Sequence, residues 1–287
     1  MIPAAFAYHR PDSVKEALAL LKEHGEEAKL LAGGHSLLPA MKLRLSTPSQ
    51  LIDIGRIAEL KRLEEKGGHL IIGAGATHWA IESSAQVGEK APLLQQAASV
   101  IGDPQVRNLG TIGGSLAHAD PAADYPAAVL ASQAEIQVRG PKGERRIEAG
   151  DFFVDLYQTD LQPDELITAV RVPALPKNAG ACYLKFPHPA SRFAVVGCAA
   201  MVVVDKGKCK EARVAFNGVS SVAFRDAAVE EALEGKALDA GAIEAAAARA
   251  AGEVEVLSDA FAGEEYRRHL ARVYARRAIA QAAATAR

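Results

Sequence analysis

The sequence is poor in cysteine, with only Cys182, Cys198 and Cys209 among 287 residues. Their odd number and wide spacing argue against a disulfide framework and predict a reducing, cytoplasmic setting. The same scarcity excludes an iron–sulfur cluster held by this chain, because such a cluster takes about four thiolates, usually in close CxxC-like groups. If the chain carries single electrons, any cluster must belong to a partner.

Neither an excess of one charge nor a long apolar run is present. The net charge is −2, with acidic and basic residues mixed along the chain, which argues against a nucleic-acid partner. No apolar run approaches the roughly 20 residues that span a bilayer, and residues 1–10 lack the order of a secretory signal. We therefore expect no integral membrane protein, and membrane association only through a complex. One basic cluster is predicted to form a solvated helical face: Arg267, Arg268, Arg272, Arg276 and Arg277.

The length predicts two or three compact units. A helix capped at Asp12–Ser13, with strands at 29–32 and 50–54, predicts a small βαβ-type unit. The Pro- and Gly-containing stretch 172–180 predicts a linker, and strands followed by helices after it predict an α+β domain. We expect a first domain over 1–176, with subdomains at about 1–55 and 56–176, and a second domain over 177–287. Further helices are predicted at 77–85, 91–101, 121–131, 225–233, 240–251 and from 265, and strands at 70–72, 135–139, 195–204 and 212–216. Pro104 and Gly110 are predicted to interrupt the helical pattern after residue 101.

Gly33 and Gly34 directly follow the strand predicted at 29–32. Paired glycines allow a positive φ and a close approach to a ligand, and they expose successive N–H groups as an anion-binding nest. Ser36 can add a hydroxyl donor, and a helix from Leu37 would point its positive end at the same anion. The segment is neither a Walker loop nor a GxGxxG motif. An ordinary strand–helix turn remains the alternative.

A second glycine pair, Gly113–Gly114, lies about eighty residues later between Thr111 and Ser115. Two such turns, each beside small hydroxyl donors, suit a diphosphate held from two sides. Two unrelated turns remain the alternative. Asp124 could accept a hydrogen bond from a ribose or ribityl hydroxyl or serve structure alone, and Asp120 is predicted to cap a helix.

The remaining polar residues predict no catalytic or metal site. His78, His118 and His188 are isolated in the sequence from further ligands at metal-binding spacing. His35 is predicted to fix the shape of its loop through side-chain hydrogen bonds, and no nucleophile elbow or HExxH motif occurs.

The segments AGGHSLLP (32–39) and RNLGTIGG (107–114) together resemble the FAD-binding subunits of the molybdenum hydroxylases, the xanthine dehydrogenase family, and most of all the medium subunits of aerobic carbon monoxide dehydrogenases. The resemblance covers essentially the whole chain. It implies an α+β fold, namely a two-part FAD-binding domain of the vanillyl-alcohol-oxidase type followed by an α+β C-terminal domain. It also implies diphosphate contacts from Ala32, Gly33, Gly34, His35, Ser36, Thr111, Ile112, Gly113, Gly114 and Ser115.

The same resemblance implies further cofactor contacts. Asp124 should bind a sugar or ribityl hydroxyl, Ile101 should pack near the flavin ring, and the Leu161 backbone should meet the polar edge of the ring. Lys185 matches a lysine at the flavin site. Phe193 stands where the carbon monoxide enzymes carry a tyrosine, so it keeps the stacking face and loses the hydroxyl, and Ser115 stands where many relatives carry asparagine.

The family implies an electron-transfer subunit of a heterotrimer that can itself dimerise. A large molybdenum-cofactor subunit would oxidise the substrate, a small 2Fe-2S subunit would carry the electrons, and FAD here would pass them to a quinone, NAD or another acceptor. No residue of this chain need act as an acid or base. The alternatives are a free-standing FAD oxidase or reductase, which needs its own substrate pocket and base, and a non-enzymatic nucleotide-binding regulatory module, which would be colourless.

Overall fold

The computed structural model describes residues 1–286 of the chain. The first unit is a three-stranded parallel sheet with strand order β1-β3-β2, as the predicted βαβ-type unit requires. The side chain of Ser13 caps the first helix by accepting a hydrogen bond from the Glu16 N–H, because the first N–H groups of a helix have no partner within it. The elements of this unit are β1 Ala7–His9, α1 Val14–His24, β2 Ala28–Leu31, α2 Leu37–Lys42 and β3 Gln50–Asp53.

The second unit is a five-stranded antiparallel sheet of order β4-β5-β10-β6-β7, whose excursion between β5 and β6 contains six short helices. The second glycine segment, Ile101 and Asp124 lie on this excursion. Its elements are β4 Leu63–Lys66, β5 His69–Gly73, α3 His78–Glu82, α4 Ala85–Lys90, α5 Pro92–Val100, α6 Pro104–Leu109, α7 Ile112–His118, α8 Tyr125–Ala131, β6 Glu135–Gly140, β7 Gly143–Glu148, α9 Ala149–Phe152, β8 Phe153–Asp155, β9 Gln158–Thr159 and β10 Leu166–Pro173.

The third unit is a four-stranded antiparallel sheet of order β11-β12-β13-β14, covered on one face by a long C-terminal helix. The helix backbone lies directly on Gly180, where any side chain would collide with the Ala282 carbonyl. Its elements are β11 Ala179–Pro187, β12 Ala194–Asp205, β13 Lys208–Asn217, β14 Phe224–Arg225, α10 Ala227–Leu233, α11 Ala240–Ala247 and α12 Glu264–Thr285.

Strand β12 is buried on both faces, which explains its nearly unbroken apolar sequence. Its side chains alternate between two cores, as the two-residue period of a strand requires. Ala199 and Met201 pack with α5 and α8 of the second unit, while Cys198 and Ala200 pack with α12. The second and third units therefore share a continuous apolar contact, and the predicted site residues near Asp124 lie along it.

Three local expectations were wrong. Pro104 does not interrupt helical structure; it begins α6, because a proline in the first turn loses no hydrogen bond and Asp103 caps the Val106 N–H. The helix predicted from residue 121 begins only at Tyr125. Arg267 is not on a solvated face; it is buried and donates to the carbonyls of Val195 and Gly218, both at 2.6 Å.

The other predicted elements appear with shifted ends. The predicted linker at 172–180 lies between β10, which ends at Pro173, and β11, which begins at Ala179. Arg272, Arg276 and Arg277 are exposed, as expected. Within residues 1–286, no helix combines the length and apolarity that crossing a bilayer requires.

Candidate cofactor site

The two glycine segments meet in the folded chain, although about eighty residues separate them. A methyl group on Gly33 would collide with the Leu109 carbonyl oxygen and lie 2.6 Å from the Gly110 Cα. A methyl group on Gly114 would lie 3.8 Å from the Ala32 Cβ. Backbone therefore packs on backbone, and glycine at position 33 makes this approach sterically possible.

The first segment, residues 33–36, connects β2 to α2 and exposes a row of donors. Gly34 has a φ of +75°, in the left-handed region that glycine enters without strain. His35 holds the loop through a 3.0 Å contact between Nδ1 and the Gly33 carbonyl, as expected from the sequence. None of the four N–H groups of residues 33–36 donates to an acceptor within residues 1–286. Successive free N–H groups of this kind form an anion-binding nest.

The second segment is not a glycine turn, which corrects the expectation of a repeated nest. Gly113 and Gly114 lie in the first turn of α7 with helical dihedrals, so neither needs a positive φ. Their N–H groups donate within the protein, from Gly113 to the Ala74 carbonyl at 2.9 Å and from Gly114 to Thr111 Oγ1 at 3.1 Å. A methyl group on Gly113 would lie 2.6 Å from the Ala74 Cβ, so this glycine serves close packing.

Asp124 forms a buried ion pair with Lys185 where α8 meets β11. The Lys185 Nζ lies 2.9 Å from Asp124 Oδ2, and each side chain is only 5% exposed. The Tyr183 hydroxyl donates to the other carboxylate oxygen at 2.6 Å. Burial raises the pKa of Asp124 above its ordinary value, while Lys185 and Tyr183 oppose that rise. Both oxygens are thus engaged by residues of the third unit.

Tyr183 and Asn217 complete this network, and sequence reasoning missed both. The Tyr183 hydroxyl lies 3.2 Å from Asn217 Oδ1, and the Nδ2 of that buried amide has no hydrogen-bond partner in the part of the chain described. A methyl group on Gly197 would lie 2.5 Å from the Tyr183 hydroxyl. Tyr183 could have been found from its position two residues before Lys185, because alternate residues of a strand share a face.

The other residues predicted to contact the cofactor are Ile101, Leu161 and Phe193, and they lie outside the Asp124 network. Ile101 follows α5, and its carbonyl accepts from Arg107 Nη1 at 3.1 Å. Leu161 follows β9 and is half-buried, with its N–H 3.3 Å from Thr159 Oγ1. Phe193 is 44% exposed immediately before β12. No hydrogen bond between described residues joins Ile101 or Leu161 to the Asp124 network.

Three non-glycine residues that lie close in the chain to Asp120, Leu161 or Phe193 have backbone dihedrals in the left-handed region. Their φ angles are +49° at Ala119, +56° at Tyr157 and +61° at Arg192. Ala119 follows α7, Tyr157 lies in the β8–β9 hairpin, and Arg192 precedes Phe193. The Tyr157 ring centroid lies 5.1 Å from that of His118. Such dihedrals cost on the order of 1–3 kcal/mol each and are concentrated at functional sites.

Asp120 does not cap a helix, which corrects the expectation from the sequence. Its Oδ1 accepts from the Ala122 N–H at 2.9 Å, forming a local turn before α8. The turn is tied to the third unit, since Ala194 N–H donates to the Ala122 carbonyl at 3.1 Å. In the described residues, no three His, Cys, Asp or Glu side chains are arranged to hold a metal ion.

Family models match both halves of the chain. Residues 4–175 match the FAD binding domain in molybdopterin dehydrogenase, and residues 181–282 match the CO dehydrogenase flavoprotein C-terminal domain. The chain belongs to the molybdopterin dehydrogenase flavoprotein family. The expected order of an FAD-binding domain followed by a second, C-terminal domain is confirmed, as is FAD as the cofactor.

The similarity extends over whole chains. The carbon monoxide dehydrogenase medium chain of Hydrogenophaga pseudoflava is 44% identical over 82% of both chains. That of Afipia carboxidovorans is 38% identical over 100% of both. The solved carbon monoxide dehydrogenase of Hydrogenophaga pseudoflava contains a chain that superposes with a TM-score of 0.97, at 42% identity and full coverage of both chains. The resemblance inferred from the two glycine segments is therefore confirmed.

Proposed function

We propose that this chain is the FAD-containing medium subunit of a carbon monoxide dehydrogenase-like molybdenum hydroxylase complex, an oxidoreductase. It takes electrons from the iron–sulfur clusters of a partner and passes them from FAD to an external acceptor. The carrying observation is the row of free N–H groups at residues 33–36, packed against the second glycine segment, in a chain that matches medium chains from end to end.

The residues present fit the diphosphate of FAD. Four successive free donors at residues 33–36 suit an anion with several acceptor oxygens. Ser36 adds a hydroxyl that caps no helix N–H. The second segment, Thr111 to Ser115, forms the facing wall, with the Ser115 hydroxyl as a further donor. Ala32, His35 and Ile112 complete this proposed diphosphate site.

The isoalloxazine and ribityl groups would lie toward the other end of α7. Seven residues of helix span about 10 Å, which separates the glycine segments from the strained residues around Phe193. Each carboxylate oxygen of Asp124 can accept a second hydrogen bond, so Asp124 can bind a hydroxyl while holding Lys185. Ile101, Leu161 and the exposed face of Phe193 would border the ring.

When bound, FAD supplies the redox chemistry, because it accepts electrons singly or in pairs. The residues of the chain bind and orient it. The buried cation of Lys185 provides a fixed positive charge beside the proposed ring position. No side chain of this site is assigned the role of an acid or base.

The partners proposed are a large molybdenum-cofactor subunit and a small 2Fe-2S subunit, in a heterotrimer that can dimerise. The cysteines support clusters held elsewhere, since Cys182, Cys198 and Cys209 fall short of the about four thiolates that such a cluster takes. We place the complex in the cytoplasm. We divide the chain at residues 176/177, with subdomains at about 1–55 and 56–176.

Tagging the chain in its native host and recovering it under mild conditions tests this function. We expect molybdenum, iron and two further chains to copurify, and we expect the isolated chain to hold flavin without oxidising an organic substrate. A monomer that alone turns over such a substrate would establish a free-standing oxidase instead. A folded, colourless protein would establish a regulatory module.

A further inference from the structure

His78 contacts the second glycine segment at Gly110, the residue against which Gly33 of the first segment also packs. It is the first residue of α3 and is only 5% exposed. Its backbone N–H donates to the Gly110 carbonyl at 2.9 Å, and a methyl group on Gly110 would lie 2.5 Å from its Nε2. The imidazole therefore occupies the space that a side chain at position 110 would take, and its Nε2 faces the backbone that Gly33 touches.

The tautomer of His78 follows from its neighbour Tyr125. The Tyr125 hydroxyl lies 3.2 Å from His78 Nδ1 and is fully buried. Among residues 1–286 that hydroxyl has no other hydrogen-bond partner. A buried hydroxyl needs an acceptor for its hydrogen, so Tyr125 donates to Nδ1. Burial, with the nearby His35 and Arg107, lowers the pKa of His78 to about 4. The ring is thus neutral near pH 7, and its proton lies on Nε2.

The Nε2–H of His78 has no acceptor among residues 1–286. Asn217 Nδ2 is the one fully enclosed side-chain polar atom without a partner in the part of the chain described, so Nε2 of His78 is not fully enclosed and an acceptor of a bound ligand can reach it. His35, in the first glycine segment, is close enough to influence the ring electrostatically. Both segments that border the proposed diphosphate site therefore lie beside this donor.

We propose that His78 is a cofactor-binding residue whose Nε2–H donates a hydrogen bond to the diphosphate of FAD, and that Tyr125 is the positioning residue that fixes its tautomer. This inference rests on the diphosphate placement proposed above. A neutral donor suits the site because it adds a hydrogen bond that does not vary with pH near neutrality.

Substitutions of His78 can test its hydrogen-bond donor separately from the volume of its ring. In His78→Gln the side-chain amide reaches the position of Nε2, whereas in His78→Asn it reaches only that of Nδ1, and His78→Phe keeps the ring without a donor. Titrating FAD into each apoprotein by flavin fluorescence should show affinity within a few-fold of wild type for His78→Gln. It should show a loss of about tenfold or more for His78→Asn and His78→Phe, as for a hydrogen bond to a charged group.

A control variant and a variant of the positioning residue accompany these substitutions. His269→Gln changes an exposed histidine on α12 and should bind FAD like wild type, while Tyr125→Phe should weaken binding by losing the tautomer. If wild type binds no FAD, the proposed function fails. If wild type binds FAD and His78→Phe binds it equally well, only the role of His78 is overturned. Equal weakening in His78→Gln and His78→Phe would also overturn it.

A measurement on the wild-type chain covers the case in which variants do not fold. With ¹⁵N-labelled histidine, the Nε2–H signal of His78 should shift on adding FAD or ADP, both of which carry a diphosphate, and should not respond to riboflavin. A signal that responds equally to riboflavin, or to none of the three, would contradict the proposal.

Discussion

Replacing Lys185 by methionine should destabilise the chain by an amount that depends on pH. Both members of the Asp124–Lys185 pair are 5% exposed, and removing one partner of a buried pair costs roughly 3–5 kcal/mol. Asp124 can escape part of that cost by taking up a proton. From an ordinary pKa of 3.8, protonation costs about 1.4 kcal/mol per pH unit.

Protonation of Asp124 therefore limits the loss of unfolding free energy in Lys185→Met to about 4 kcal/mol at pH 7 and about 1.6 kcal/mol at pH 5. In Lys185→Met the folded chain binds a proton at Asp124 that the unfolded chain does not bind. The free energy of unfolding of this variant therefore falls as pH rises. The 2.6 Å hydrogen bond from Tyr183 to a carboxylate oxygen keeps the loss below the limit at pH 7.

Urea unfolding of the apoprotein at pH 5, 6 and 7 measures this loss. The matched control is the double variant Asp124→Asn/Lys185→Met, which removes both charges and should recover most of the stability, since neutral replacement of a buried pair is often tolerated. A loss in Lys185→Met that stays constant with pH, or lies under about 1 kcal/mol at pH 7, would refute the burial argument.

Three further predictions concern the cofactor and acid stability. Gly34→Ala should cost about 1 kcal/mol or more of stability through its positive φ and weaken FAD binding, whereas Gly67→Ala, at a φ of +60° with open space, should share the strain and bind FAD normally. Asp124→Asn should weaken FAD binding about tenfold or more, measured by titration, whereas Asp120→Asn should cost mainly thermal stability. Acid should destabilise wild type between pH 6.5 and 4, by about 3 kcal/mol in total, because the unfolded chain binds a proton at His78 that the folded chain excludes. Urea unfolding of His78→Gln should lack that component; equal acid sensitivity in both proteins would contradict it.

Local patterns were sufficient to predict much of the fold. The apolar run at 195–204 indicated a strand, and Ser13 before a helical pattern marked the start of α1, because each signal is contained within a few residues. Proline at 104 was misread because the same residue both ends and begins helices. Arg267 was misread because a charged residue is normally expected to be exposed. Its burial depends on hydrogen bonds to the carbonyls of Val195 and Gly218, which are distant in the sequence.

The site was predictable only where a local sequence pattern marks it. The glycine pairs identified both segments, but glycine tolerates helix and turn alike, so the sequence could not reveal that Gly113 and Gly114 begin α7. The roles of Tyr183, Asn217 and His78 depend on contacts with residues distant in the sequence, such as the His78 contact with Gly110. Only the tertiary arrangement provides those contacts.

Identifying the flavin released from the purified, folded chain tests the central claim most directly. After denaturation, chromatography should recover FAD in a ratio of about one per chain, because the free donors at residues 33–36 and the facing second segment suit a diphosphate. Recovery of FMN, or of no flavin from folded chain that has been incubated with FAD, would contradict the account.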